Sequence, residues 1–204
     1  MTDRSLVCFD LGGVFIRLQP DLASACRDAG VEYRGGWEHL ASDAPRLDLI
    51  ERYQIGAIEC ETYYGAMSDL SAGRYAPEEI EAIHRVWVIE PYAGIDALLD
   101  EIEASGLATA CLSNTNASHW RWLEGVAPFS RLQHRHASHL LGFHKPDERI
   151  YRAFERAVGR AGDSILLFDD LAENVATARR LGWQAHRIDP TGDTVAQMRR
   201  VLGM

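Results

Sequence analysis

Four short motifs hold the residues of this chain whose types and spacing could do chemistry. In chain order the motif residues are Asp10, the pair Ser113 and Asn114, Lys145, and the pair Asp169 and Asp170. Three of the four motifs end predicted β-strands, and open α/β sheets bind ligands at the carboxyl ends of their strands. Three carboxylates, a hydroxyl and amide pair and one lysine at such an edge would suit a metal ion and a phosphate group.

The acidic motifs suggest a nucleophile and a cation site. Asp10 is followed by Leu-Gly-Gly, and a carboxylate at this point could attack phosphorus to form a phospho-aspartyl intermediate. Asp169 and Asp170 are adjacent, so they repel each other unless a cation such as Mg²⁺ lies beside them. Each motif alone also fits a structural role, such as capping a turn or a helix.

The two remaining motifs suggest a phosphate site. Ser113 and Asn114 offer a hydroxyl, an amide and backbone N–H groups, which could hold phosphate oxygens as charge redistributes. Lys145 precedes Pro146 at a predicted helix start, where the helix dipole disfavours a cation. That placement suggests a reason other than stability, such as neutralising Asp10 and a phosphate.

Hydrophobic periodicity predicts the elements that must position these motifs. The five predicted strands span Leu6–Asp10, Leu107–Leu112, Leu132–Ala137, Ile165–Phe168 and Gln184–Ile188. Three amphipathic helical patterns, each followed by a glycine, span Pro91–Ser105, Pro146–Val158 and Glu173–Leu181. Strands that alternate with helices in this way predict an α/β fold with a doubly wound parallel, Rossmann-like sheet.

One segment interrupts the alternation. From residue 15 to residue 90 the chain offers only helical patterns, separated by turn signals at Gly35-Gly36, Gly56, Gly73 and Pro77. We therefore predict a catalytic core of residues 1–14 and 91–204, with a small helical cap of residues 15–90 inserted after the first strand. Such a cap would hang over the carboxyl edge of the sheet, where a lid belongs.

The composition and net charge of the chain limit the kinds of partner that it is expected to bind. The 204 residues are 47% hydrophobic and 25% charged, which is typical of a globular protein. A net charge of −9 argues against nucleic acid or an anionic membrane as the main partner, but not against a phosphorylated metabolite. The cysteines lack metal or redox spacing, and no apolar run approaches the roughly 18 residues of a membrane span. These features predict a cytoplasmic protein, and they leave its oligomeric state unknown.

The ordered set of motifs resembles the haloacid dehalogenase superfamily, whose members are mostly Mg²⁺-dependent phosphatases. The resemblance implies that Asp10 is the nucleophile and that Asp10, the Gly12 carbonyl and Asp170 hold Mg²⁺. Asp169 would be a further ligand of the metal or would lie behind its ligands. Ser113, Asn114 and Lys145 would hold the phosphoryl group, and Lys145 would take part in catalysis. The stretches SNTNASHW, SHLLGFHKPDERIY and FDDLAENV look most like a bacterial branch of sugar-phosphate phosphatases, which includes an α-glucose-1-phosphate phosphatase.

One position departs from the pattern of the superfamily's phosphatases. They usually carry a second aspartate two residues after the nucleophile as general acid and base, and here that residue is Gly12. His119 or His144 could take over that role. A non-catalytic phospholigand-binding protein would also explain Gly12, as would a metal-independent dehalogenase, although the latter leaves Asp169 and Asp170 unexplained.

Three further histidines are close together in the sequence, and a metal site there is the less favoured interpretation. They are His134, His136 and His139.

Overall fold

The computed structural model describes residues 5–35 and 44–204. Among these residues the strands are β1 (Leu6–Phe9), β2 (Ile16–Leu18), β3 (Val88–Pro91), β4 (Ala108–Ser113), β5 (His134–Ala137), β6 (Ile165–Asp169) and β7 (Gln184–Arg187). Five of them form one sheet in the order β5-β4-β1-β6-β7, and all of its pairings are parallel. The predicted strands and the predicted parallel α/β sheet are therefore confirmed.

The central position of β1 brings three motifs together. β1 pairs with β4 on one side and with β6 on the other, with Phe9 level with Cys111 and Phe168. Asp10 follows β1 directly, so it lies between the ends of the two neighbouring strands. Ser113 ends one of these strands and Asp169 ends the other.

Helices cover both faces of the sheet. In chain order they are α1 (Leu22–Ala29), α2 (Ala44–Gln54), α3 (Cys60–Leu70), α4 (Pro77–Arg85), α5 (Ile95–Ala104), α6 (Ala117–Leu123), α7 (Ala127–Ser130), α8 (Ser138–Leu141), α9 (Glu148–Val158), α10 (Ala172–Arg180) and α11 (Thr194–Leu202). The three predicted helices correspond to α5, α9 and α10. α9 begins two residues later than predicted, because the Asp147 side chain accepts a hydrogen bond from the Arg149 N–H and caps the helix there.

The side chains of β1 alternate between two apolar clusters. Val7 and Phe9 pack with residues of α5 and α11, and Leu6 and Cys8 pack with residues of α9 and α10. All four are fully buried. A strand whose two faces are both covered reads as a continuous apolar run, which is why the motif strands were recognisable in the sequence.

The prediction that residues 15–90 contain only helices is wrong at both ends of the segment. β2 and β3 form an antiparallel two-stranded ribbon, in which Ile16 pairs with Pro91 and Leu18 with Val88. Strands this short show no usable period-2 pattern. The ribbon brings the start and the end of the insert side by side next to the first motif.

The helices α1 to α4 of the insert pack around a hydrophobic cluster of their own, which includes Tyr63, Met67, Ile80 and Ile83. The predicted limits of the cap domain remain a prediction, and part of the predicted Gly35-Gly36 turn lies outside the described residues. No helix of the described ranges is long and apolar enough to cross a membrane.

A buried serine joins the insert to the core. Ser118 of α6 lies with its Oγ 2.9 Å from the hydroxyl oxygens of Tyr53 and Tyr64 and 2.9 Å from the sulfur of Cys60. These three partners belong to α2 and α3. The hydrogen bonds hold the helices of the insert against the edge of the sheet where the motifs meet.

Candidate active site

Asp10, Lys145 and Asp169 form a buried chain of charges at the carboxyl edge of the sheet. The Lys145 Nζ lies 3.1 Å from Asp10 Oδ1 and 2.6 Å from Asp169 Oδ2. The side chains of Lys145 and Asp169 are fully buried. Burial alone would lower the pKa of Lys145, but the two carboxylates raise it above its ordinary value, so the lysine stays protonated.

Both carboxylate oxygens of Asp169 have partners within the protein. The Asn174 amide donates to both of its carboxylate oxygens, at 2.9 and 3.1 Å, and the Leu171 N–H donates to Oδ1 at 2.9 Å. With Lys145 on Oδ2, both oxygens are already engaged within the protein. This arrangement suits a residue that positions Lys145 and lies behind a metal site, rather than one that turns an oxygen towards an ion.

The second motif contacts the nucleophile candidate and the lysine differently. The buried Ser113 side chain interacts with the Asp10 carboxylate and acts to lower the pKa of Asp10, against the effect of burial. The Asn114 side chain instead bonds the backbone of Lys145, accepting from its N–H at 2.7 Å and donating to its carbonyl at 2.8 Å. The Asn114 amide is thus used to fix the loop that carries Lys145.

Gly13 allows the first motif to approach Asp170 closely. It has a φ of 75°, a conformation that favours glycine, and a Cβ at this position would lie 2.9 Å from Asp170 Oδ2. The acidic group at the end of β6 therefore faces the turn that follows Asp10. A side chain at residue 13 would push the two motifs apart.

The acidic residues fit a divalent cation. Among the described residues, one group has the composition of a metal site, and it consists of Asp10, Asp169 and Asp170, with one oxygen of each within 4.8 Å of the others. Burial raises the pKa of Asp10 even against Lys145, and burial together with Asp169 raises the pKa of Asp170. Three carboxylates around one lysine leave an excess of two negative charges, and an all-oxygen donor set suits Mg²⁺.

Leu18 fills the space beside Gly12. A Cβ at residue 12 would lie 2.8 Å from the Leu18 Cδ1 of the β2–β3 ribbon. The space into which a side chain at residue 12 would extend is therefore taken by an aliphatic side chain from the insert. The backbone at Gly12 does not itself require glycine, since a positive φ begins only at Gly13.

The structure engages both histidines that were candidates for the missing acid. The His119 Nε2 lies 2.9 Å from the His84 carbonyl oxygen, and its Nδ1 lies 3.2 Å from the Asn116 amide. Burial lowers the pKa of His119 to about 4, so its ring is neutral at pH 7. His144 bonds its Nδ1 to the Lys145 carbonyl and its Nε2 to Glu51. Neither ring offers a proton towards Asp10.

His84 is a member of this neighbourhood that the sequence did not reveal. Its ring stacks on that of His119 at a centroid distance of 3.9 Å, although the two residues are far apart along the chain. No motif or spacing marks it. His134, His136 and His139 lie on β5 and α8 and belong to no potential metal group among the described residues.

A cavity of about 650 Å³ opens between the insert and the core. Gly12, Ser113 and Asn114 line its core side, so it borders the loops that carry the first two motifs. Helices of the insert and the β2–β3 ribbon supply much of the opposite wall. The cavity therefore begins beside the loop that follows Asp10.

The family model of haloacid dehalogenase-like hydrolases matches residues 5–182. That range holds all four motifs and the insert between the first two. The chain therefore belongs to the haloacid dehalogenase-like hydrolases, and it is an enzyme of the hydrolase class.

A curated relative and two solved structures show how far the similarity reaches. Phosphatase MT3486 of Mycobacterium tuberculosis is 30% identical over 128 residues, which is 62% of this chain and 59% of that protein. The HAD family enzyme BT-2542 of Bacteroides thetaiotaomicron, solved with magnesium and inorganic phosphate, has a TM-score of 0.76 at 18% identity, covering 93% of this chain and 96% of the other. L-2-haloacid dehalogenase of Xanthobacter autotrophicus has a TM-score of 0.67 at 16% identity, covering 98% and 84%. The two structures establish the common fold.

Proposed function

We propose that this hydrolase is a Mg²⁺-dependent phosphomonoesterase that acts through a phospho-aspartyl intermediate on Asp10. The observation that carries the proposal is the acidic group at the sheet edge, in which Asp10 and Asp170 face each other beside one buried lysine. The named phosphatase relative supports the same reaction.

Asp10 is the proposed nucleophile. Its Oδ1 accepts from the Leu11 N–H at 2.7 Å and lies near Lys145, which leaves Oδ2 for attack. A bond forms from this carboxylate oxygen to phosphorus, and the ester P–O bond breaks, with its electron pair leaving on the departing oxygen. Water then cleaves the acyl phosphate, which regenerates Asp10 and releases inorganic phosphate.

A bound Mg²⁺ would supply positive charge that draws the phosphoryl group and the nucleophile together. We propose that Asp10, Asp170 and the Gly12 carbonyl hold it. Asp169 is assigned to the layer behind these ligands, because both of its oxygens are already engaged. Each of these roles is a proposal from the charges and contacts at the site.

Lys145 and the second motif are proposed to hold the phosphoryl oxygens. Lys145 is fixed by Asp169 and remains charged in its buried position, so it can offset the charge of a phosphate at Asp10. Ser113 presents a hydroxyl at the nucleophile. Asn114 would act through its backbone N–H, since its side chain fixes the Lys145 loop.

Residue 12 supplies no acid to protonate the departing oxygen, so substrates whose leaving oxygen is stabilised as an anion should react fastest. A sugar 1-phosphate, which the resemblance of the sequence implies, meets this requirement through its anomeric oxygen. Small phosphorylated metabolites of this type are therefore the first substrates to test.

Turnover of 4-nitrophenyl phosphate tests the proposed function. We expect phosphate release that requires Mg²⁺ and is abolished by EDTA, followed by recovery when Mg²⁺ is added back. Activity that resists EDTA would contradict the metal assignment. Binding of phosphate esters without any release of phosphate, in Mg²⁺-loaded folded protein, would instead identify a non-catalytic phospholigand-binding protein.

A further inference from the structure

The wall that the insert contributes to the cavity is mainly apolar. Side chains that line this wall include Leu18, Leu22, Ile50, Met67, Ile80 and Ile83. They face the loops of Gly12, Ser113 and Asn114 across a space of about 650 Å³, a size typical of sites that enclose most of an organic ligand. An organic group that extends from the reacting phosphate into this space would therefore meet mostly apolar surface.

Several polar side chains of the lining are already hydrogen-bonded within the protein. The Tyr53 hydroxyl bonds Ser118 at 2.9 Å. The Asn116 amide lies between the rings of His84 and His119, at 3.4 and 3.2 Å, and its oxygen accepts from the His119 N–H. At Tyr53 and Asn116 the hydroxyl groups of a sugar would have to compete with these bonds, and a buried hydroxyl without a partner costs about 1–3 kcal/mol.

The neighbourhood of Gly12 adds an independent constraint. Leu18 occupies the space next to residue 12, and both His119 and His144 are engaged elsewhere. Among these groups none offers a proton to the departing oxygen. That oxygen must carry its negative charge without help, as a phenolate does and an ordinary alkoxide does not.

We propose that the substrate is an aryl phosphate monoester whose ring and apolar substituents occupy the cavity wall formed by the insert. The proposal rests on the proposed phosphatase function and narrows its substrate class. The Asp10 carboxylate forms a bond to phosphorus, the aryl P–O bond breaks, and the phenolate leaves with the electron pair. An aryl phosphate fits the apolar cavity wall and has a leaving oxygen that needs no acid. A sugar 1-phosphate meets only the second of these requirements.

A series of 4-alkylphenyl phosphates tests the proposal. Lengthening the alkyl group from methyl to butyl changes the leaving phenol very little, so any trend in kcat/KM reports on the cavity. We expect a rise of about fourfold per methylene until the cavity is filled, which is the gain from burying one methylene. Replacing 4-propylphenyl phosphate by 4-(2-hydroxyethyl)phenyl phosphate should lower kcat/KM by roughly tenfold or more.

Matched variants on one helix locate the effect. Ile50 lines the cavity, whereas Leu47, also on α2, is 50% exposed and does not. Ile50→Ala should lower kcat/KM more for 4-butylphenyl phosphate than for phenyl phosphate, mainly through KM, and Leu47→Ala should affect the two alike. If Ile50→Ala does not fold, Ile50→Val should show a smaller effect of the same kind.

A flat or falling alkyl series would overturn the substrate class, as would a higher kcat/KM for glucose 1-phosphate than for 4-butylphenyl phosphate. In both cases the phosphatase activity itself would stand. If none of the esters, 4-nitrophenyl phosphate included, released phosphate in the presence of Mg²⁺, the proposed function would fail instead, and the substrate class with it.

Discussion

The two sides of the cavity are built from different kinds of contact. On the core side, charged and polar groups hold one another in fixed positions, with Lys145 between Asp10 and Asp169 and with Asn114 on the Lys145 backbone. On the side of the insert, the wall is mainly aliphatic and aromatic, and its hydrogen bonds, such as that of Tyr53 to Ser118, hold protein groups to one another. Hydrogen bonds and ion pairs fix geometry more narrowly than apolar contacts do, because they depend on angle as well as distance.

This difference suggests a division of labour. The core side can position a phosphoryl group identically for many substrates, since it reads charge and oxygen geometry. The insert can select the organic group, since apolar surfaces discriminate by size and polarity. Changes on the core side should therefore abolish or redirect the chemistry, and changes on the side of the insert should alter stability or substrate preference.

The largest effect is expected from Asp10→Asn. The amide oxygen can still accept from the Leu11 N–H, so the fold should persist, but an amide cannot attack phosphorus. We expect kcat for 4-nitrophenyl phosphate to fall by several orders of magnitude while the Tm stays close to that of the wild type. Asp163→Asn, which changes a carboxylate outside the site, is the control. Near-normal turnover by Asp10→Asn would rule out the nucleophile assignment.

Gly12→Asp should give the next largest effect. An aspartate here would restore an acid for the departing oxygen, and such groups typically contribute about 10² to 10⁴ in rate. Leu18 must turn aside, and because the residue is 40% exposed there is room for that. The double variant Gly12→Asp/Leu18→Ala removes the obstacle, with Leu18→Ala as control.

The experiment compares kcat/KM for a substrate with a poor leaving group and for one with a good leaving group, in the wild type and in the variant. We expect Gly12→Asp to raise the value for glucose 6-phosphate by about 10², and to raise the value for 4-nitrophenyl phosphate much less. Equal gains on the two substrates would show that another group already supplies the proton.

Asp170→Asn should separate metal binding from folding. Asp170 and Asp169 repel each other, so without Mg²⁺ the variant should have a higher Tm than the wild type. Its affinity for Mg²⁺ should fall by roughly ten- to a hundredfold, since even outer partners of metal ligands contribute that much. Thermal unfolding across a Mg²⁺ titration measures both quantities.

His134→Ala serves as the control for the metal prediction, because His134 belongs to no potential metal group among the described residues. It should keep the wild-type response to Mg²⁺. A wild-type Mg²⁺ response in Asp170→Asn, or its loss in His134→Ala, would place the metal elsewhere.

Ser118→Ala should have the smallest effect and should weaken the contact between α6 and the insert. The substitution removes a hydrogen-bond partner from buried tyrosine hydroxyls, at a cost of about 1–3 kcal/mol. For a chain of this size each kcal/mol lowers the Tm by about 2–4 °C. Thermal unfolding should show that loss, with Ser130→Ala, an exposed serine bonded to a nearby carbonyl, unchanged. A fall in kcat as large as that of Asp10→Asn would contradict the division between the two sides.

Much of the core could be predicted from local sequence patterns. The strands that end at Asp10, Ser113 and Asp169 are apolar runs bounded by polar residues, and parallel pairing then forces these residues to one edge. The predicted clustering of the motifs is confirmed by the contacts of Lys145 with Asp10 and Asp169. Helix ends were displaced by a few residues where a cap such as Asp147 sets the boundary.

The sequence by itself therefore determined the fold class, the order of the motifs along the chain and the chemical character of the sheet edge. These properties depend on short-range periodicity and on residue type. Only the tertiary structure decided that the Asn114 side chain binds the Lys145 backbone, that Leu18 fills the space beside Gly12, and that His84 stacks on His119. It also decided that the cavity wall is apolar. Such contacts join residues far apart along the chain, and their geometry follows from how the insert packs on the core, which no local pattern encodes.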